Sequence, residues 1–409
     1  MNACLLAAAL IIPNTIGQTM YEGEIEAQNS TFHKLWGQSF KWTFDDLPLT
    51  ARVADHRVPY SGYIYPDTHG GTVSALVKYD QAFDQKGRAA AHERRDTSLT
   101  APVTRRVTYT RRVGFGGSRT FTRLETVHAV PYWYGHCNGW TSATIRHAEP
   151  QTSVVRNGVV FTPADIKGLL AEIYIYNENE MLAEGYINPG KLHTIIANWI
   201  GRGMHPIGME ADPGSEKWNY PIYGYSVEAY NRSAKGVDVQ LVVKYAMSSE
   251  TETDKSPRIE KEKHFNYHLN LDDEGKITGG YYYRNSARID MLWVPLRPKA
   301  AGEKGNERGN PYVDINEVLA IWRDSVPAVD RTKWAHVDPI ELDRLTDDIQ
   351  FTHLRPTQPG DATLATSAKP ATAIEPALAI SEVVNNSFAT TSASETPNDE
   401  LAESDLAMP

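Results

Sequence analysis

Cysteine is nearly absent from this chain: its 409 residues include two, Cys4 in the first apolar run and Cys137. A disulfide framework is thereby excluded as the source of stability. If the first residues are removed on export, Cys137 is a lone thiol, and a lone thiol in an exported protein points to a nucleophile. Long apolar runs are missing too. The stretch from Cys4 to Ile12 has the length of a signal h-region and is too short to span a bilayer, and no later stretch is long and apolar enough to do so. The run lacks a basic segment before it, and Cys4 follows no lipobox. Residues 1–18 therefore read as a possible signal peptide, and the protein as secreted. Positive charge is also scarce. The net charge of -10 disfavours a nucleic-acid binder. The exception is a local cluster of Arg94, Arg95, Arg105, Arg106, Arg111 and Arg112, where alternation along 103–113 predicts a strand with a solvated basic face rather than a polyanion site. Aromatic residues almost vanish after Arg355. Residues 356–409, rich in Ala, Thr, Ser, Pro and Glu with Phe388 the sole aromatic, cannot bury enough apolar surface to offset their ordering entropy and read as a disordered tail.

What is present centres on Tyr132-Trp133-Tyr134-Gly135-His136-Cys137-Asn138-Gly139-Trp140. Gly135 and Gly139 bracket the cysteine, and Thr141 to His147 can continue as a short helix, which puts Cys137 near a helix N-terminus. Unpaired N–H groups and the positive end of the dipole favour thiolate there. Trp133 and Trp140, flanking the thiol, are the candidate substrate-binding residues. Downstream, Asn157-Gly158 makes a turn, and Thr162 followed by Pro163 starts a helix over 163–174, with Asp165 in its first turn.

The segment from Leu192 to Ile200 is rich in β-branched and aromatic residues and reads as a strand. It leads through Gly201-Arg202-Gly203 into a second strand, Met204 to Asp212. A loop at Gly201-Arg202 would set His193 opposite Glu210, and one at Arg202-Gly203 would set it opposite Asp212. Glycine first suits a type II′ turn, whereas the other loop needs arginine at positive φ, so the first register is favoured. A cysteine nucleophile needs a histidine to take its proton and a carboxylate to orient that histidine. His193 with Glu210 or Asp212 supplies the pair. The remaining histidines considered, His136, His147, His205, His264 and His268, read as structural or exposed. Further strands are expected at 218–227, with Pro221 at an edge or bulge, at 237–247 and at 264–271. The acidic turn Asp272-Asp273-Glu274-Gly275 reads as a hairpin tip rather than a calcium loop. The chain divides into an N-terminal layer (19–125), a catalytic core (126–300) and a C-terminal helical segment (301–355) before the tail.

These motifs resemble one family. Gly135-His136-Cys137-Asn138-Gly139-Trp140 is similar to the nucleophile segment of the transglutaminase elicitor family, the Phytophthora-type secreted transglutaminases. Trp218-Asn219-Tyr220-Pro221-Ile222-Tyr223-Gly224-Tyr225 resembles the surface peptide by which plants perceive that family. Gly275 to Gly280 and Asp290-Met291-Leu292-Trp293 are similar to its late strand and its ending. Lys217 stands where the family has an apolar residue, and Glu210 where it has aspartate. The resemblance implies an α+β, papain-like cysteine fold with an antiparallel sheet and a helix carrying the nucleophile. It also implies acyl transfer from a glutamine side chain of one protein to a lysine or other amine, a plant receptor for the 218–225 segment, and calcium as a cofactor, although the residues themselves require none. Read together, Cys137, His193, Glu210 and Asp212 predict a cysteine acyltransferase with no nucleic-acid partner and no membrane span. A cysteine protease or amidase is the first alternative, since the same groups serve both, and a non-enzymatic elicitor or interaction protein is the second.

Overall fold

Along Gly236–Ala246 the residues Val237, Val239, Leu241 and Val243 are buried, every second one, which is how a strand presents one face to a core. That strand lies in the middle of a nine-stranded sheet in the computed structural model, which describes residues 18–20, 22–98, 103–113, 117–127 and 131–336. Nearly all of the expected signal peptide and the whole expected tail lie outside these residues. In chain order the strands are β1 (Gln18–Thr19), β2 (Thr50–Arg52), β3 (Val103–Val113), β4 (Gly117–Val127), β5 (Val154–Arg156), β6 (Val159–Phe161), β7 (Asn177–Glu184), β8 (Ile207–Glu210), β9 (Asn219–Tyr230), β10 (Gly236–Ala246), β11 (Glu260–Leu271), β12 (Ile277–Tyr282) and β13 (Met291–Pro298). The helices are α1 (Glu22–Trp36), α2 (Val73–Ala82), α3 (Arg88–Ser98), α4 (Cys137–Arg146), α5 (Pro163–Tyr174), α6 (Pro189–Ile196), α7 (Ile315–Ser325) and α8 (Ala328–His336).

The main sheet runs β1-β12-β11-β10-β9-β8-β13-β7, with β2 added to β9, and every pairing in it is antiparallel. Two apolar clusters fill the interior. One holds Leu192, Ile195, Trp199, Leu241 and Phe265, together with Phe32 of α1. The other joins α2, α5 and α7 through Leu76, Leu169, Leu170, Val318 and Trp322. Helix α4 packs against α5, β8, β9 and β13, so it runs between the helical cluster and the sheet.

Local signals explain several elements. Thr162 caps α5 as expected: its hydroxyl accepts from the Asp165 N–H while the Asp165 carboxylate accepts from the Thr162 N–H, and Pro163 opens the helix. The acidic turn is indeed the tip between β11 and β12. Asp272 Oδ1 accepts from the Glu274 and Lys276 backbones, and Gly275 takes φ +76°. Pro221 lies beyond the β9–β10 pairing, whose register shifts at Tyr223, and faces Gly208 in the β8–β9 ladder.

One expected element is different in kind. The strand expected at 192–200 is α6 continued by a π-helical turn over Ala197–Arg202. Leu192, Ile195, Ile196, Trp199 and Ile200 are all fully buried, and their spacing is that of one helix face. Asn188 caps this helix with Pro189 behind it. Burial on a 3.6-residue period outweighed the strand preference of the β-branched side chains. No hairpin therefore joins 192–200 to 204–212; β8 instead turns into β9 through 211–218, which sets Glu210 opposite Asn219.

Candidate active site

Two glycines seat the start of α4. A Cβ on Gly135 would lie 2.8–3.0 Å from the backbone of residues 64–66, to which this segment is tied by His136 N–H donating to Ile64 O (2.8 Å) and Asp67 N–H donating to Tyr134 O (3.0 Å). A Cβ on Gly139 would come within 2.2 Å of Ala171 O on α5. With both present, Cys137 becomes the first residue of α4, as the sequence predicts. It lines a cleft of about 540 Å³ whose walls include Trp133, Tyr134, Lys217, Asn219 and Trp293.

The Cys137 thiol points at Lys217 O, 3.5 Å away, and its sulfur accepts from Asn219 Nδ2, also at 3.5 Å. Burial pushes the thiol up from its ordinary value. Hydrogen bonds from the Asn219 side chain and from the backbones of Asn219 and Asn138 pull it down, while the charge of Glu210 adds to the rise. Burial is the largest of these influences, and the net shift of the thiol is upward.

Glu210 is fully buried at the end of β8. Its Oε1 accepts from the backbones of Asp212 (3.0 Å) and Trp218 (2.9 Å). Burial and the neighbouring carboxylate of Asp290 raise it to about 7, so near neutrality Glu210 can both take up and release a proton. Asp290 takes the charge, facing Lys217 Nζ at 2.6 Å. Asp212 is exposed and turns the β8–β9 connection, its carboxylate accepting from Gly214 N–H.

His193 is elsewhere. On α6 its Nδ1 meets Tyr267 Oη at 2.9 Å, its ring stacks on Phe44 with centroids 5.4 Å apart, and it is not among the residues lining the Cys137 cleft. Burial alone lowers it to about 4. With the hairpin gone, nothing sets His193 opposite Glu210 or Asp212. His205 packs between Trp36 and Trp199. His136, next to the cysteine, is buried with Nε2 at 3.2 Å from Glu172 and 3.7 Å from Glu93. Burial opposes its charge, but the two carboxylates prevail and raise it to about 9. Trp133 lines the cleft, whereas Trp140 is a core residue whose indole donates to Tyr60 O.

Asn219 and Asp290 were missed as site residues. Both lie inside motifs quoted for the family resemblance, and that was the available signal. The segment resembling a surface peptide is interior: residues 219–225 are buried and only Trp218 is partly open.

Neither acidic place fits calcium, which takes six to eight oxygen ligands. At the 272–275 tip, Asp272 is occupied by its own turn and Asp273 pairs with Lys235. Asp67, Glu93 and His136 bring ligand atoms within 4.8 Å of one another, but the imidazole is held as a cation by Glu93 and Glu172.

A search of curated proteins found no match to the chain. Among solved structures, the GP42 transglutaminase from Phytophthora sojae shares the fold, with a TM-score of 0.58 at 20% identity, over 75% of this chain and 99% of that one. The family model for transglutaminase elicitors matches residues 117–182, which span β4, the cysteine segment, α4 and α5. Over residues 117–182, and in its fold, the chain is thus similar to the transglutaminase elicitors.

Proposed function

We propose that this protein is an extracellular protein-glutamine γ-glutamyltransferase with Cys137 as its nucleophile. The observation that carries the reading is the thiol at the first turn of α4, open to a cleft, with the Asn219 amide donating to its sulfur and the Glu210 carboxylate near enough for its charge to act on the thiol. Packing of the cysteine helix on an antiparallel sheet supports the papain-like architecture.

Cys137 Sγ attacks the carboxamide carbon of a glutamine side chain. The thiol proton passes to Glu210, whose proton affinity near neutrality suits a general base, and returns to the nitrogen as the C–N bond breaks and ammonia leaves. A lysine or other amine then attacks the thioester, a C–N bond forms, the C–S bond breaks, and the sulfur recovers its proton. Asn219 Nδ2 and the backbone N–H groups of the first turn of α4 are the donors for the tetrahedral oxygen. His193 has no part in these steps. If plants perceive the 218–225 segment, its burial means that they meet it as a released or unfolded peptide.

The test is incorporation of a labelled primary amine into a glutamine donor, with and without calcium, alongside peptide-bond cleavage. Cys137→Ala should lose at least about 10³-fold in rate, and Asn219→Ala about 10²-fold. Full amine transfer by Cys137→Ala would end the reading. Cleavage in place of transfer would move it to a cysteine protease.

A further inference from the structure

Strands β3 and β4 form a ribbon of their own, paired residue for residue from Val103↔Val127 to Val113↔Gly117, with no third strand on either edge among the described residues. Residues 103–127 hold six arginines and one acid, Glu125, a net +5 in a chain whose total is -10. Among the described residues, Arg106, Arg111, Arg112 and Arg119 have no carboxylate within ion-pair distance, and all four are exposed. Arg111 lies directly opposite Arg119. Like charges facing each other across a ladder are destabilising, so the ribbon keeps a repulsion that an anion would relieve. On the same face Tyr109 and Phe121 stack at 5.8 Å while remaining 43% and 38% exposed.

We propose that this ribbon is a docking arm for an acidic, extended stretch of polypeptide, which joins its free edge as a third strand and sets carboxylates on the face of Arg111 and Arg119. Charge complementarity calls for an anion. The bare edge narrows the class, because its row of free N–H and C=O groups can be used only by another backbone. Nucleic acid or a lipid surface would use the arginines and leave the edge unpaired. Val127 at the end of β4 precedes Trp133 in the cleft wall by six residues, so the arm and the cleft are neighbours in sequence. In this respect the inference rests on the acyl-transfer reading, for which it names acidic proteins as the favoured substrates.

The experiment is fluorescence polarisation with a labelled peptide of alternating Glu and Thr and the full-length Cys137→Ala protein. Replacing Glu by Gln in the probe, methylating alternate backbone nitrogens of the probe, or making Arg111→Gln with Arg119→Gln in the protein should each weaken binding about tenfold, and added salt should weaken it further. Circular dichroism checks that the double variant is folded. Equal binding of the Glu and Gln probes overturns the proposal. So does equal binding of the methylated probe, which would leave charge without strand pairing. Tighter binding to phosphatidylserine vesicles or oligo-dT than to the peptide also overturns it, in favour of an anionic surface. Peptide binding by a protein whose wild type transfers no amine would keep the arm and sink the acyltransferase. Amine transfer to a small glutamine donor without peptide binding would do the reverse.

Discussion

Two histidines are buried to the same degree, 2% exposed each, in opposite surroundings. His136 sits in the cleft wall between Glu172 and Glu93 and stays protonated to about pH 9 despite its burial. His193 sits between Phe44 and Tyr267, where burial lowers it to about 4. Neither suits the task that a cysteine nucleophile sets. The histidine beside the thiol already holds its proton, and the one free to accept a proton is walled off from the cleft. Residue type alone says little about chemistry here, because the partners fix the charge. That is why the proton in the proposed mechanism goes to Glu210, raised to about 7.

The largest effect that would sharpen this contrast is on stability. His136→Leu leaves Glu93 and Glu172 buried without their cation, and removing one partner of a buried ion pair costs about 3–5 kcal/mol. His193→Leu leaves an apolar site apolar and unpairs the Tyr267 hydroxyl, a loss of about 1–2 kcal/mol. Denaturant unfolding at pH 7 measures both. Equal losses, or the reverse order, would mean that the two sites are not electrostatically distinct.

The same pair predicts opposite pH dependences. In the unfolded chain both rings titrate near the ordinary value of 6.5. The folded protein holds the His136 proton up to about pH 9, so its contribution is complete below pH 6.5 and is lost as pH rises through about 9. The folded protein excludes a proton from His193, so that contribution is present above pH 6.5 and is lost as pH falls toward about 4. Each amounts to a few kcal/mol, because every tenfold change in proton affinity on folding is worth about 1.4 kcal/mol. Subtracting each leucine variant's stability curve from the wild type's should expose an alkaline loss for His136 and an acidic loss for His193. Two curves of the same sign would break the comparison.

The same two regions mark where the sequence was legible. The start of α4 could be read because its determinants are local: Gly135 and Gly139 permit close approach, and the residues after Cys137 continue as a helix. The start of α5 was legible for the same reason, with Thr162, Pro163 and Asp165 making their contacts within one turn. The 192–200 segment was misread because its β-branched composition and its helical spacing disagree, and tertiary burial decides between them. The cleft could not be assembled from spacing at all. Trp133, Cys137, Asn219 and Trp293 come from a turn and three elements, α4, β9 and β13, whose meeting depends on the strand order, in which β8 joins β9 and β13. For the same reason Asn219 was visible as part of a motif but not as the donor to the sulfur.

The smallest effect is the most specific to the carboxylate. At the pH where Cys137 ionises, Glu210 is charged, and that charge raises the thiol. Glu210→Gln keeps the shape and an oxygen for the Trp218 and Asp212 amides while removing the charge. The midpoint of Cys137 alkylation against pH should then fall by less than about one pH unit, since burial remains and still opposes the thiolate. In the wild type that midpoint should lie above the free-cysteine value of about 8.5. Amine transfer should move the other way and drop about 10²-fold or more, because the proton acceptor is lost while the thiol becomes easier to ionise. A purely structural role for Glu210 would not move the two readouts in opposite directions. Asp212→Asn, at an exposed turn, should move neither. A midpoint that stays or rises in Glu210→Gln would remove the carboxylate from the vicinity of the sulfur, and unchanged transfer would remove it from the chemistry.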